Sequence, residues 1–288
     1  MIKKIWAVSF SPTGSTAQMV LAAAEAAARA LACGDAESLS STAAACPASR
    51  PIEQVDVSRP DMRERPLQFG EEDLVFAAVP TYAGRVPNKI MPFFRDMVKG
   101  CGAFGVPMVT FGGRSFDDSL AELSDLMEES GFRLLGGGAF VCRHAFADVA
   151  SDRPAAEDLE MAAALGRGAA ENLQAGRILP ASQLPGNHPA EPYYVPKGTD
   201  GQPAVFLKAK PKLDSARCTG CGRCAESCPM GSIDRDTLQA AGICIKCQAC
   251  IRKCSEGARY FDDPAFLSHK AMLEESFGSV RRESRIVL

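Results

Sequence analysis

The 288 residues contain only three histidines and one tryptophan. No apolar run approaches the ~18 residues of a membrane-spanning helix. Charge of either sign is not in excess: 32 Lys and Arg stand against 35 Asp and Glu, a net of −3, so no polybasic binder of nucleic acid or membrane surface is implied. A signal peptide is missing as well, because after Lys3 and Lys4 the apolar run over residues 5–10 is too short for an h-region and ends in a turn. Neither G-x-G-x-x-G nor a P-loop with its lysine occurs at the first strand-to-helix turn. These absences argue against secretion and membrane insertion. What is abundant is cysteine, twelve in all. With a cytoplasmic, thiol-reducing compartment expected, that count points to metal or clusters more than to disulfides.

The chain reads as unequal parts. Residues 1–177 alternate strand and helix: strands are expected at 2–10, 52–57, 74–79, 106–111 and 132–141, helices at 17–32, 87–99, 116–130 and 155–174. Alternation at this spacing predicts an α/β domain, a doubly wound five-stranded parallel sheet with helices on both faces. Residues 178–207 carry six prolines and read as a linker laid over the surface. Residues 208–264 are rich in Cys and Gly and too poor in large apolar residues to hold together by burial alone. Residues 265–288 form a last helix and a basic tail with Arg281, Arg282 and Arg285. The small net charge is a sum of opposites, −7 over residues 1–200 and +4 over residues 201–288, which favours docking of one part on the other and reads equally as solvated surface.

Eight cysteines crowd into residues 218–254. Cys218, Cys221, Cys224 and Cys228 follow C-x2-C-x2-C-x3-C, and Cys244, Cys247, Cys250 and Cys254 repeat it. Gly231 and Gly257 fall three residues past each fourth cysteine. Three thiolates at this spacing wrap one cubane, while the fourth lies too far along and reaches the neighbouring cube. Two 4Fe-4S clusters are predicted, one on Cys218, Cys221, Cys224 and Cys254, the other on Cys244, Cys247, Cys250 and Cys228. Structural zinc on two four-thiolate sites is the bland alternative, although zinc modules more often show separated C-x2-4-C pairs. The segment resembles a bacterial two-cluster ferredoxin. Ser255 departs from that family, which usually has Pro after both fourth cysteines; Pro229 is present after the first.

Between the first strand and its helix lies Ser11-Pro12-Thr13-Gly14-Ser15-Thr16, a hydroxyl-rich turn whose free N–H groups suit an anion. An ordinary capped helix start reads the same way. Two further loops are expected at the same sheet edge, where open α/β sheets bind ligands. They are Pro80-Thr81-Tyr82-Ala83-Gly84-Arg85 and Gly112-Gly113-Arg114-Ser115-Phe116. Each joins glycine, which admits a planar ring, to an aromatic side chain.

With the three loops together, residues 1–177 resemble a flavodoxin-like domain. The resemblance implies that Ser11, Thr13, Gly14, Ser15 and Thr16 hold the phosphate of FMN. Tyr82 and Phe116 would flank the isoalloxazine ring, with Thr81, Ala83, Gly84, Gly112 and Gly113 near its polar edge. Phe116 reads equally as a core residue. Arg85 and Arg114 either serve a reduced flavin or a partner, or are solvated surface residues, and His144 reads more readily as structural. Cys33, Cys46, Cys101 and Cys142 show no activating motif and are read as inert thiols.

The order of modules resembles flavodoxin–ferredoxin fusion proteins, found mainly in anaerobic bacteria and archaea. That implies an electron-transfer protein coupling one-electron ferredoxin chemistry to flavin chemistry, with ferredoxin-like redox partner proteins. The alternative is an FMN-dependent reductase of a small-molecule acceptor that uses the clusters as its inlet. It lacks a visible pyridine-nucleotide site and any paired catalytic constellation. A redox sensor would need a binding surface that only the Arg281–Arg285 tail hints at.

Overall fold

The computed structural model describes residues 2–37 and 50–288. Its main sheet is built from β1 (Lys4–Ser9), β2 (Ile52–Asp56), β3 (Asp73–Pro80), β4 (Phe104–Phe111) and β5 (Gly137–Val141), all parallel. Their spatial order is β2-β1-β3-β4-β5. This is the flavodoxin-like order, with the switch in winding direction between β1 and β3. The five expected strands are therefore present, the fifth shortened. Residues 133–134 pair separately with β4, and Gly136, at φ 142°, breaks the run before β5 starts.

Continuous apolar character explains why β3 and β4 lie inside. Leu74 to Val79 are at most 1% exposed, as a strand covered on both faces requires. On one face lie α1 (Ser15–Glu37) and α4 (Ala156–Gln174), with Met19, Ala23, Ala27, Leu31, Phe76, Met108 and Leu165 in one apolar cluster. The alanine-rich surface of α1 lets α4 come close: a Cβ on Gly166 would meet the carbonyl oxygen of Ala23 at 2.0 Å. On the other face lie α2 (Met91–Met97) and α3 (Ser119–Glu129), burying Phe10, Val79, Phe94, Val109, Leu120 and Leu123. Each such side chain contributes about 1.5–3 kcal/mol of burial. Helix α2 is shorter than the expected 87–99: Pro87 opens a turn, and residues 98–99 pair as a strand with 67–68. The poorly patterned segment 38–49, with Cys46, lies outside the described residues.

The proline-rich stretch runs along the α/β domain and is tied to it by side-chain hydrogen bonds. Asn187 and Glu191 bind the buried carboxylate of Asp118, His188 binds Asp125 at 2.7 Å, and the Tyr193 hydroxyl donates to the Val86 carbonyl. It leads into the cysteine-rich module, in which β6 (Lys212–Leu213) pairs antiparallel with β7 (Arg259–Tyr260). Between them are two single-turn helices, α5 (Arg223–Glu226) and α6 (Ala249–Arg252).

The last segment then returns to the α/β domain. Helix α7 (Pro264–Phe277) is capped by the Asp263 side chain, which accepts from the Phe266 N–H at 2.9 Å. Beyond it β8 (Arg285–Val287) adds antiparallel to β5 and closes that sheet edge. No helix among the described residues is long and apolar enough to cross a membrane.

Candidate functional site: a cysteine module against a cavity at the sheet edge

The two cysteine motifs fold as copies of one another. Two residues past each first cysteine, Gly220 and Lys246 take left-handed φ of 72° and 57°; two further on, Gly222 and Gln248 do so at 74° and 65°. Gly222 and Gln248 open α5 and α6 in turn. After each fourth cysteine the N–H of Ser232 or Ala258 donates to Sγ of Cys228 or Cys254, at 3.3 Å in both copies. The turn is the same with Pro229 and with Ser255: Gly231 and Gly257 both have φ 58° and both donate to the carbonyl of the fourth cysteine. The departure at Ser255 leaves the local backbone unchanged.

Cys228 does not sit only with its own motif. It lines a small cavity together with Cys244, Cys247 and Cys250 and the apolar residues Ile233, Ile245 and Phe261. Burial pushes the thiols of Cys247 and Cys250 up to about 12, and neighbouring cysteines, Cys244 and Cys228 among them, add to the rise. Clustered thiolates repel until a cationic metal core neutralises them, and that coupling is what makes such modules bind metal on folding. Amide donors to Sγ and a pocket of four cysteines fit a cluster.

The second feature is a cavity of about 570 Å³ at the carboxyl ends of the strands, where this fold binds ligands. Thr13, Ser15 and Thr16 line it from the turn after β1, and Ser15 and Thr16 head α1, where the first backbone N–H groups have no intrahelical acceptor. Thr81, Tyr82, Ala83 and Gly84 line it from the loop after β3. Ala83 and Gly84 have φ of 48° and 80° and form a two-residue turn closed by Tyr82 and Arg85. Gly112 lines it from the loop after β4.

Four expected residues stand outside the lining. Ser11 turns inward, its Oγ accepting from the Ala17 N–H at 2.9 Å and its own N–H donating to Ser58. Gly14, at φ 99°, shapes the turn. Gly113 packs near Val149, and Phe116 rests on Phe111 with ring centroids 5.5 Å apart. The hydroxyls of Thr16 and Thr81 are engaged by Thr110 and Ser119.

The remaining wall was not legible in the motifs. Tyr193, Tyr194 and Phe206 come from the proline-rich stretch, Arg143 and Phe146 from beyond β5, and His269 and Leu273 from α7. The available signal was tyrosine: of four in the chain, Tyr82, Tyr193 and Tyr194 all line this cavity. Arg114 lies over the Tyr194 ring at 4.3 Å and pairs with Asp117. Arg85 is neither solvated nor at the cavity. It pairs with Glu122 at 2.6 Å, the side chains 18% and 9% exposed, and bears on the Tyr193 ring at 4.9 Å. The charged side chains in the lining are Lys89, Arg114, Arg143 and Lys246, with no carboxylate.

The two histidines of the wall have opposite tautomers. Nδ1 of His144 accepts from the N–H of Ala147 at 3.1 Å and of Phe146 at 3.4 Å, so its proton is on Nε2. Burial, with His269, Arg252 and Arg114 nearby, lowers its pKa to about 3. Nδ1 of His269 donates to the Lys197 carbonyl at 2.8 Å, and burial also holds its pKa below the ordinary value, which leaves Nε2 as an acceptor. Of the other isolated cysteines, Cys142 is buried and its thiol pushed up to about 12, Cys101 is exposed, and Cys33 is disulfide-bonded, so it is not the free thiol expected.

Cys244 and Cys247 line both cavities and form their common wall, with Lys246 between them. The module is held there by Arg252, which donates to the carbonyls of His144 and Ala145, and by Arg63, which donates to the Pro229 carbonyl.

A family model described as a 4Fe-4S binding domain matches residues 211–234, the first cysteine motif. Among solved structures, a flavodoxin from the domain Archaea aligns over 59% of this chain and 99% of its own, at 13% identity and TM-score 0.39. A short-chain flavodoxin associated with a non-canonical PDU bacterial microcompartment aligns over 60% and 99%, at 13% identity and TM-score 0.40. The rubredoxin oxygen:oxidoreductase from the anaerobe Desulfovibrio gigas aligns over 60% of this chain and 36% of its own, at 16% identity and TM-score 0.31. No curated protein matches. By strand order and by its matched cysteine motif, the chain joins a flavodoxin-like α/β domain to a 4Fe-4S ferredoxin-type segment.

Proposed function

We propose that the chain is an electron-transfer protein that passes electrons between two 4Fe-4S clusters and an FMN held in the 570 Å³ cavity. One cluster is assigned to Cys218, Cys221, Cys224 and Cys254, the other to Cys244, Cys247, Cys250 and Cys228. When bound, the clusters supply single electrons and the flavin takes up one or two. The observation that carries this reading is the shared wall. Cys244 and Cys247 belong at once to the cysteine cavity and to the large cavity, so transfer between the two needs no diffusion of one module to the other.

The chain's own residues have separate tasks in this reading. Thr13 and Ser15, with the α1 N-terminus, receive the phosphate. Tyr82, on its tight turn, and Tyr194, held under Arg114, supply aromatic faces for the ring. Lys89, Arg114 and Arg143 favour a ligand that carries negative charge. Leu207 and Ile243, both at the cavity and 84% and 55% exposed, mark the side open to a partner.

Anaerobically purified protein is expected to hold about eight iron, eight sulfide and one FMN per chain. Cys228→Ala is expected to lose about half the iron and the cluster-to-flavin transfer, while Cys221→Ala keeps the cluster nearest the flavin. Stoichiometric zinc without sulfide would overturn the assignment.

A second reading, an FMN-dependent reductase of a small anionic acceptor, is favoured by one observation. The Nε2–H of His144 is a donor fixed by its backbone partners in a wall that holds basic groups and no carboxylate. Rapid turnover of one acceptor by dithionite-reduced protein, abolished in His144→Ala with flavin still bound, would decide for it.

A further inference from the structure

The two copies of the cysteine motif differ at one buried position. Five residues past the fourth cysteine of each stand Ile233 and Arg259. Ile233 is 6% exposed and packs with Ala225 and Leu238 beside the cysteine sulfurs, an ordinary occupant of an apolar cluster. Arg259, 3% exposed, puts a guanidinium into the same small module. Its Nη2 donates to the Leu238 carbonyl and to Sγ of Cys224 at 3.3 Å. Its Nε and Nη1 are fully buried and have no acceptor, and among the described residues it makes no ion pair.

A guanidinium does not shed its proton, and a buried charge with no counter-charge costs several kcal/mol. The module is too small to absorb such a cost through its apolar core. What meets the guanidinium is cysteine sulfur: Sγ of Cys224 lies in direct contact, and Cys250 is near enough to interact with it electrostatically. In the two-cluster reading these two belong to different clusters, so Arg259 stands between the two sites.

We propose that Arg259 is a potential-setting residue. Its charge, and the Nη2 donor that meets Sγ of Cys224, act on the sulfur set around Cys224, and they raise the reduction potential of that cluster. The sign follows from charge: reduction adds an electron to an already anionic centre, and a fixed positive neighbour stabilises the reduced form more than the oxidised one. The residue transfers no electron itself. It makes the two halves of the repeat electrically unequal, which an Ile at this position would not do.

The inference rests on the two-cluster reading, and the experiment separates the two. Iron and sulfide are measured first in the full-length wild-type chain; protein devoid of both overturns the cluster assignment and this inference with it. With clusters present, EPR-monitored redox titration compares wild type, Arg259→Ile and Arg259→Lys. Arg259→Ile copies the occupant of the first motif. It is expected to keep its iron and to weaken reduction of one cluster at least tenfold, about 59 mV to lower potential for a one-electron couple. Arg259→Lys keeps the charge and loses the fork, and is expected to shift less. Unchanged midpoints in iron-replete Arg259→Ile overturn the proposal and leave the cluster assignment standing. Should Arg259→Ile fail to hold iron, Arg259→Gln against Arg259→Lys decides: a lower midpoint in the Gln variant supports the proposal, equal midpoints overturn it.

Discussion

Cys247 and Tyr82 face one cavity from opposite modules. The phenol of Tyr82 is driven well above its ordinary pKa, first by burial and then by the charges of Cys247 and Cys244, with Arg252 opposing. An aromatic ring from the flavodoxin-like domain thus stands where the cysteine module meets the cavity. The backbone accounts for its position. Ala83 and Gly84 take the left-handed conformations of a two-residue turn, and a Cβ on Gly84 would come within 2.4 Å of the Asp117 carboxylate.

Tyr82→Ala is accordingly expected to weaken flavin binding by roughly ten- to a hundredfold, the loss of one stacking face worth about 1–3 kcal/mol. Tyr82→Phe keeps the face and is expected to stay within a fewfold of wild type. Titration of apoprotein with FMN, followed by flavin fluorescence, reads both. Equal affinity in the Ala variant would remove Tyr82 from the site.

The pair Arg85–Glu122 does a different job from the one its loop position suggested. Glu122 accepts from both Arg85 and the Val86 N–H, and Arg85 reaches the Glu191 carbonyl and the Tyr193 ring. Removing one partner from so enclosed a pair leaves the other charge uncompensated. Arg85→Ala is therefore expected to cost about 3–5 kcal/mol. The double variant with Glu122→Ala is expected to lose much less than the sum of the two single changes. Urea unfolding of the four proteins measures the coupling; additive losses would show that the pair is not a latch for the proline-rich stretch.

Legibility in the sequence followed the range of the forces involved. Cysteine spacing is local chemistry, so the doubled motif was readable; the structure adds that Cys228 lines one small cavity with Cys244, Cys247 and Cys250. Strand and helix periodicity was equally local, so the five parallel strands could be placed within a few residues. Tyr193 and Tyr194 could not be assigned to the cavity, because their arrival depends on the proline-rich stretch being anchored along Asp118, Asp125 and Val86, and His269 arrives on α7, beyond the cysteine module. Phe116 carried the right residue type in the right loop, but the neighbouring Phe111 offers it a packing site, and tertiary burial prevailed over the motif. The pairing of β8 with β5 has no marker in the short, Arg-rich tail.

His144 gives a prediction about protonation. Two backbone N–H groups occupy Nδ1, and burial with nearby positive charge holds the pKa at about 3 against the ordinary 6.5. The folded protein therefore stays unprotonated at this ring between pH 6.5 and 3, whereas the unfolded chain takes up a proton. The stability linked to His144 is fully present above pH 6.5 and is lost as the pH falls from 6.5 toward 3. Imidazole nitrogen shifts at pH 6 are expected to show a bare Nδ1 and a protonated Nε2, and a doubly protonated ring at that pH would contradict the assignment. His144→Gln is expected to reduce the acid sensitivity over this window.

The return of the chain terminus to the sheet makes the last prediction. Strand β8 pairs Arg285, Ile286 and Val287 with β5, Leu288 covers Gly168 on α4, and the Ser284 hydroxyl bridges the Val141 N–H and the buried Asp158. Removing residues 284–288 leaves β5 as a bare edge and takes a hydrogen-bond donor from Asp158, which retains its pair with Arg153. The loss is expected to be about 2–4 kcal/mol, the sum of one edge pairing, one buried hydrogen bond and the partial burial of Ile286 and Val287. It should fall on the α/β domain and the flavin site, since β8 packs against β5 and α4. Thermal unfolding followed by flavin release is expected to move to lower temperature while the iron content at 25 °C stays at the wild-type value. Loss of iron in step with flavin would mean that the cysteine module depends on that sheet edge to fold.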